Sequence, residues 1–203
     1  MERKLALIGV LAVLAVLSGC TQTSDTGEFR LLISDEEADI GDFDSLNVTV
    51  EEVRLEPANE SEEVFTIELD QPRTVDLTSV IGDRAQEIIN ESVPAGEYQK
   101  IDLWVEDMYD SPGNVRKTRG LVKQSVVDSE EGAQRFLTER EVRVMVPSGR
   151  LQIEQDFTVS PNRSVNFIFD ISVVLKGATG EYNLIPNMNA SGVEGEDLEE
   201  HQI

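Results

Sequence analysis

Along most of this chain, apolar residues recur at every second position. Phe29, Leu31 and Ile33 alternate with polar neighbours, as do Leu46, Val48 and Val50, and then Phe65, Ile67 and Leu69. Val75 with Leu77, Ile101 with Leu103 and Val105, and Val142 with Val144 and Val146 repeat the pattern. Leu151, Ile153 and Phe157 come next, then the longest run, Val165, Phe167, Phe169, Ile171 and Val173, and last Tyr182, Leu184 and Pro186. A period of two sends alternate side chains to opposite faces, so each stretch predicts a half-buried antiparallel strand. Turn formers separate the stretches: Asp110-Ser111-Pro112-Gly113-Asn114, Pro147-Ser148-Gly149, Pro161-Asn162 and the glycines at 177 and 180. About nine strands with one apolar face each predict an all-β fold, two antiparallel sheets packed face to face as a sandwich.

Three stretches depart from the alternation. Leu46, Val48 and Val50 share one face, whereas Val53 and Leu55 fall on the other. A bulge at Glu51-Glu52 restores all five to the core, because one extra residue flips the phase. Asp83-Arg84-Ala85-Gln86 has the D-x-x-Q spacing of a capping box, and with Ile88-Ile89 behind it predicts one short helix. Residues 188–203 are acidic and glycine-containing, and are expected to be disordered.

The amino terminus has a different character. Met1-Glu2-Arg3-Lys4 precedes a continuous apolar run at residues 5–17, the layout of an export signal. Thirteen residues of helix reach only about 20 Å, short of a hydrocarbon core of roughly 30 Å. A permanent transmembrane helix is therefore not expected. The run ends in Leu17-Ser18-Gly19-Cys20, which resembles the lipobox of prokaryotic lipoproteins at all four positions. That resemblance implies cleavage before Cys20 and lipidation of its thiol. The expected organisation is a signal peptide at 1–19, a lipidated cysteine and tether at 20–28, a sandwich at 29–187 and a tail at 188–203.

Composition sharpens the location. Cys20 is the sole cysteine, so intradomain disulfides and thiolate metal sites are excluded. The formal net charge is -23, and the cations are 12 Arg against 5 Lys. Acidic excess with scarce lysine resembles the proteins of salt-loving archaea, where concentrated salt screens carboxylate repulsion. The same charge argues against nucleic acid as a partner. Five N-x-[ST] sequons begin at Asn47, Asn59, Asn90, Asn162 and Asn189, among nine asparagines in all. Asn59 and Asn162, beside prolines in predicted loops, are the best placed for glycosylation, with Asn90 next. Asn47 sits on a predicted strand, where access is worst.

Several longer stretches resemble a known family. "RLLISDEEADIGDFDSLNVTVEEVRL", "TVDLTSVIG", "VPAGEYQKIDLWV", "VPSGRLQIEQDFTV" and "SVNFIFDISVVL…GEYNLIPNM" together cover most of residues 30–188. They are similar to the β-rich lipoprotein domain of bacteria and archaea known as domain of unknown function 4382. The resemblance implies a transthyretin-like or immunoglobulin-like sandwich and supplies no activity. One departure is that the family's Asp-Ala-Pro after the first strand reads Asp35-Glu36-Glu37 here.

The chemistry-bearing residues are few. The only histidine, His201, lies in the tail, which leaves no imidazole base and no histidine metal set in the sandwich. Carboxylates are spread throughout, so no pair is singled out for acid–base catalysis, and an enzyme is not expected; a carboxylate-based enzyme ranks third. Calcium ranks second, as the one cofactor considered. Asp35, Asp39, Asp42 and Asp44, with Glu36 and Glu37, crowd a single loop around Gly41. Calcium takes six to eight oxygens at about 2.3–2.6 Å, although the spacing is not that of an EF-hand. Residues 115–123 carry Arg116, Lys117, Arg119 and Lys123 in an otherwise acidic chain. They form either a docking surface for an acidic partner or anionic glycan, or a hairpin paired with nearby carboxylates. Trp104 shares a strand face with Lys100 and Asp102, opposite Ile101, Leu103 and Val105, and is the aromatic candidate for partner contact. The first expectation is a non-catalytic binding or scaffolding domain, held by a lipid on the external face of the cytoplasmic membrane.

Overall fold

The computed structural model describes residues 25–36, 39–105, 119–123, 141–142, 144–146, 149–176 and 181–194. Within them lie twelve strands: β1 (Thr26–Asp35), β2 (Phe43–Pro57), β3 (Phe65–Asp76), β4 (Gln86–Pro94), β5 (Gly96–Val105), β6 (Arg119–Val122), β7 (Glu141–Val142), β8 (Val144–Met145), β9 (Arg150–Val159), β10 (Ser164–Lys176), β11 (Glu181–Pro186) and β12 (Gly192–Val193). Two 3-10 turns, Asp39–Asp42 and Leu77–Ser79, join strands at one end. The first sheet runs β4-β1-β10-β11-β8, with β12 also on β10; the second runs β7-β6-β2-β5-β9, with β3 also on β2. The two-layer all-β sandwich predicted from the alternation is what forms.

The alternating residues meet between the sheets. Phe29, Leu31, Ile33, Leu46, Val48, Ile101, Leu103, Phe167 and Phe169 are all fully out of solvent. Phe157 ties the layers together near the start of β1, with ring centroids 5.2 Å from Tyr98, 5.2 Å from Phe167 and 5.7 Å from Phe29. At the opposite end Phe43 meets Tyr182 edge-on at 4.7 Å. The bulge in β2 is present. Val50 pairs with Val105 and the next paired residue, Glu52, with Trp104, so Glu51 is the extra residue opposite β5 and Val50, Val53 and Leu55 are all buried.

Four expectations need correction. No helix forms at residues 83–89; Gln86–Pro94 is a strand antiparallel to β1. The backbone of β1 on that side requires partners, and one capped turn offers less than a row of ladder bonds. Ile88 and Ile89 are both buried because the β1–β4 register slips between Leu31 and Leu32. Secondly, the sheets are not wholly antiparallel, since β1 runs parallel to β10, and β8 to β11. Thirdly, residues 142–146 are not one strand: Val142 belongs to the second sheet and Val144 to the first, so the chain crosses between layers there. Finally, the ordered domain is longer than 29–187. β1 starts at Thr26, and Gly192–Val193 pairs with Phe167 and Ile168. Ser191, buried, lies over the outer side of β10, where Ile168 and Asp170 need cover.

Candidate functional site

The outer face of the second sheet is a lattice of charges around one ring. Trp104 on β5 faces Glu52 on β2 and Arg150 on β9; Asp102 faces Arg54 and Gln152; Lys100 faces Glu56 and Glu154. Their alternation partners Ile101, Leu103 and Val105 point into the core, as the sequence predicts. The Arg54 guanidinium carbon lies 4.8 Å from the Trp104 ring centroid and that of Arg150 lies 5.9 Å away. Both distances suit a cation–π contact. Arg54 also pairs with Glu52 and Lys100 with Glu56, while Arg150 Nη1 sits 3.7 Å from Asp102 Oδ2. Burial pushes the Asp102 carboxyl up, against the pull of Arg150, Lys100 and Arg54. Trp104 is half-buried, and its indole N–H is buried without an acceptor among the described residues. This arrangement sets two guanidiniums over one indole ring, each of them also meeting a carboxylate.

The acidic loop is arranged differently from its appearance in the sequence. Asp35 is not a loop residue but the last of β1, fully buried, its main chain held by Val80 O at 3.0 Å and by Gly82 N–H at 3.1 Å. Among the described residues neither of its carboxylate oxygens has a hydrogen-bond partner. Burial first, then the charges of Asp170 and Glu36, push its carboxyl up to about 8. Asp39 accepts the Leu175 N–H at 2.7 Å, and Asp42 accepts the Tyr182 hydroxyl at 2.9 Å. These two carboxylates therefore tie the Asp39–Asp42 turn to β10 and β11. Asp44 is exposed on β2. Lys123 closes the turn from the other side, its ammonium 2.5 Å from Gly41 O and its N–H 2.8 Å from Asp42 O. Among the described residues no group of three or more acidic, histidine or cysteine side chains is placed to hold a metal ion.

The buried polar residues Ser34, Asp102 and Asp170 were not singled out as a site in the sequence. Asp35 carried a usable signal: it is the fourth member of the Phe29, Leu31, Ile33 alternation and so falls on a core-facing phase. Asp170 interrupts the apolar run Phe167-Ile168-Phe169 before Ile171, another sign of burial on both faces.

The sequons sort by position. Asn59 is exposed in the loop after β2, where its side-chain oxygen accepts the Ser61 N–H at 3.2 Å and the Ser61 hydroxyl at 2.8 Å. Asn162, exposed, sits at a turn with φ 56°. Both lie at the end of the sandwich where β1 begins, since Ala58 N–H bonds Glu97 O and Asn162 N–H bonds Thr26 O. Asn90 is exposed on β4, whereas Asn47 lies inside the second sheet between Asp76 and Arg119. Cys20, Glu37, Arg116 and Lys117 lie outside the described residues, and of Arg119 only the backbone, opening β6, is described.

The DUF4382 family, a domain of unknown function, matches residues 26–186, which begins with the first residue of β1 and ends with the last of β11. No curated protein and no solved structure matches the chain. The match takes in both sheets and eleven of the twelve strands, and the chain belongs to the DUF4382 family.

Proposed function

We propose that this protein is a lipid-anchored, cell-surface β-sandwich that binds a partner and catalyses nothing. The observation that carries the reading is the Trp104 constellation, a ring flanked by Arg54 and Arg150 on an outer sheet face. Its ligand would be an acidic protein surface or an anionic glycan, recognised by the guanidiniums and by stacking on the ring.

Chain direction supports this geometry. β1 begins at Thr26, so a lipid on Cys20 would leave five residues of leash, at most about 17 Å when extended. The end bearing Asn59 and Asn162 would then face the membrane. Trp104, next to the last residue of β5, lies toward the far end, which a partner could reach. One lipid chain binds membranes only marginally, so two chains on Cys20 are required for a stable anchor.

Two experiments test the halves separately. Crosslinking and pull-down from intact cells should recover a partner with the wild type and lose it with Arg54→Glu/Arg150→Glu. An Arg116→Glu/Arg119→Glu variant reports whether the basic segment contributes. Equal recovery from the Arg54→Glu/Arg150→Glu variant would exclude the Trp104 face. Independently, Cys20→Ser should appear in the medium, and a variant still sedimenting with membranes would count against the anchor.

A further inference from the structure

The two sheets do not close on the side where β3 and β4 run. Among the described residues β3 pairs only with β2, and β4 only with β1, so each is the edge of its sheet there. A cleft of about 900 Å³ lies between them, lined by residues 65–73 and 87–92. Irregularities in both edges shape it. In β3 the residues between Glu68 and Arg73 have no partner on β2, and in β4 the register slips beside Ile88. Its apolar lining is Phe65, Ile67, Leu69, Ile88 and Ile89, with Phe65 and Leu69 only half-buried. The charged lining is Glu68, Asp70, Glu87 and Glu91 against Arg73.

Edge strands in natural proteins carry charges, prolines and bulges that discourage pairing with other chains. That protection accounts for the carboxylates and for Pro72. It does not account for a mostly polar-walled cleft in which Leu69 and Phe65 stay half-open to water. An acidic edge also discriminates among partners. A second copy brings its own net charge of -23 and the same carboxylates, so self-pairing is repelled. A strand with cations on alternate residues meets the opposite condition: its charges face Glu68, Asp70 and Glu91 while its apolar side chains enter the hollow.

We propose that the groove between β3 and β4 receives an extended cationic segment of a partner protein, added as a strand to the free edge of β4. Backbone bonds to β4 would supply affinity, and the alternation of lysine or arginine with aliphatic residues would supply specificity. The site is separate from the Trp104 face and does not depend on the lipid anchor.

The test uses the full-length chain in detergent micelles and a fluorescein-labelled nine-residue peptide alternating lysine with valine. Anisotropy is followed in 0.15 M and 2 M NaCl, and backbone amide exchange is mapped on the protein. Saturable binding with slowed exchange in residues 86–94 is expected. Affinity should fall at least tenfold with Glu68→Lys/Glu91→Lys, both exposed positions, after a melting curve has shown the variant folded. It should fall as far for a probe N-methylated at alternate amides, which keeps the charge and removes the ladder bonds. Equal affinity for the N-methylated probe, or for the variant, would reduce the interaction to general charge attraction and overturn the proposal. A dimer of the protein abolished by Glu91→Lys would assign the groove to a second copy and overturn it as well.

Discussion

Ser34 donates its hydroxyl to Asp170 Oδ2 at 2.6 Å, across the parallel pair of β1 and β10, with both residues out of solvent. The Asp170 N–H in turn reaches Ser191 Oγ at 2.9 Å, and the Ser191 hydroxyl continues to Asn187 O at 2.7 Å. A polar chain therefore fixes the last described segment over the outer side of the first sheet. Ser34→Ala removes the donor and leaves a buried carboxylate oxygen without it. The variant should lose about 1–3 kcal/mol of stability in urea unfolding.

Asp35, one residue on, makes stability depend on pH. Its carboxyl is held at about 8 in the fold against an ordinary 3.8. Between those values the folded state keeps a proton that the unfolded chain has released, so stability falls as pH rises through this window. The contribution is complete below about pH 4 and gone above about pH 8, a change of at most about 6 kcal/mol. Asp35→Asn should flatten that slope, leaving the variant more stable than the wild type at pH 9 and nearly equal to it at pH 4. Urea midpoints at pH 4, 7 and 9 check this directly, and parallel slopes for the two proteins would remove Asp35 as the cause.

Gly27 marks a close approach between β1 and the β9–β10 turn. A Cβ there would lie 2.4 Å from Ser160 O, 2.7 Å from Val159 Cγ1 and 2.9 Å from Arg163 O. Two of those atoms are backbone, so the turn itself must move. Gly27→Ala should cost about 1–3 kcal/mol, the usual range for overpacking. Gly41→Ala, where a Cβ meets nothing within 4 Å, serves as the neutral control.

Salt should stabilise the whole domain. With a net charge of -23, carboxylate repulsion acts over about 10 Å at 0.1 M salt and only about 3 Å at 1 M. The melting temperature should rise between 0.1 M and 2 M NaCl, and also between 0.1 M and 2 M KCl. An unchanged melting temperature would remove the reading of the composition as an adaptation to salt.

The bulge at Glu51-Glu52 was legible because burial on one face imposes a phase, and Val50 and Val53 break it in the sequence itself. The buried faces of β1, β5 and β10 were legible for the same reason. The Trp104 face was legible only as a list of side chains. That Arg54 and Arg150 lie over the ring follows from β2 and β9 flanking β5, a pairing between residues nearly fifty positions apart. The acidic loop misled because carboxylates near one another in sequence point to different places: Asp35 inward, Asp39 to Leu175, Asp42 to Tyr182.

By itself, then, the sequence determined most of the apolar residues that form the core, that the fold is two sheets, and where one strand carries an extra residue. These are local properties, written in a period of two. Tertiary structure decided that β10 lies parallel to β1, that residues 86–94 join a sheet edge as a strand, and that the chain changes layers between Val142 and Val144. It also decided that the Asp35 carboxyl has no hydrogen-bond partner among the described residues. A strand's alternation records the face it buries but not the direction or identity of its neighbour. Those depend on backbone groups far away in the chain that must also find partners.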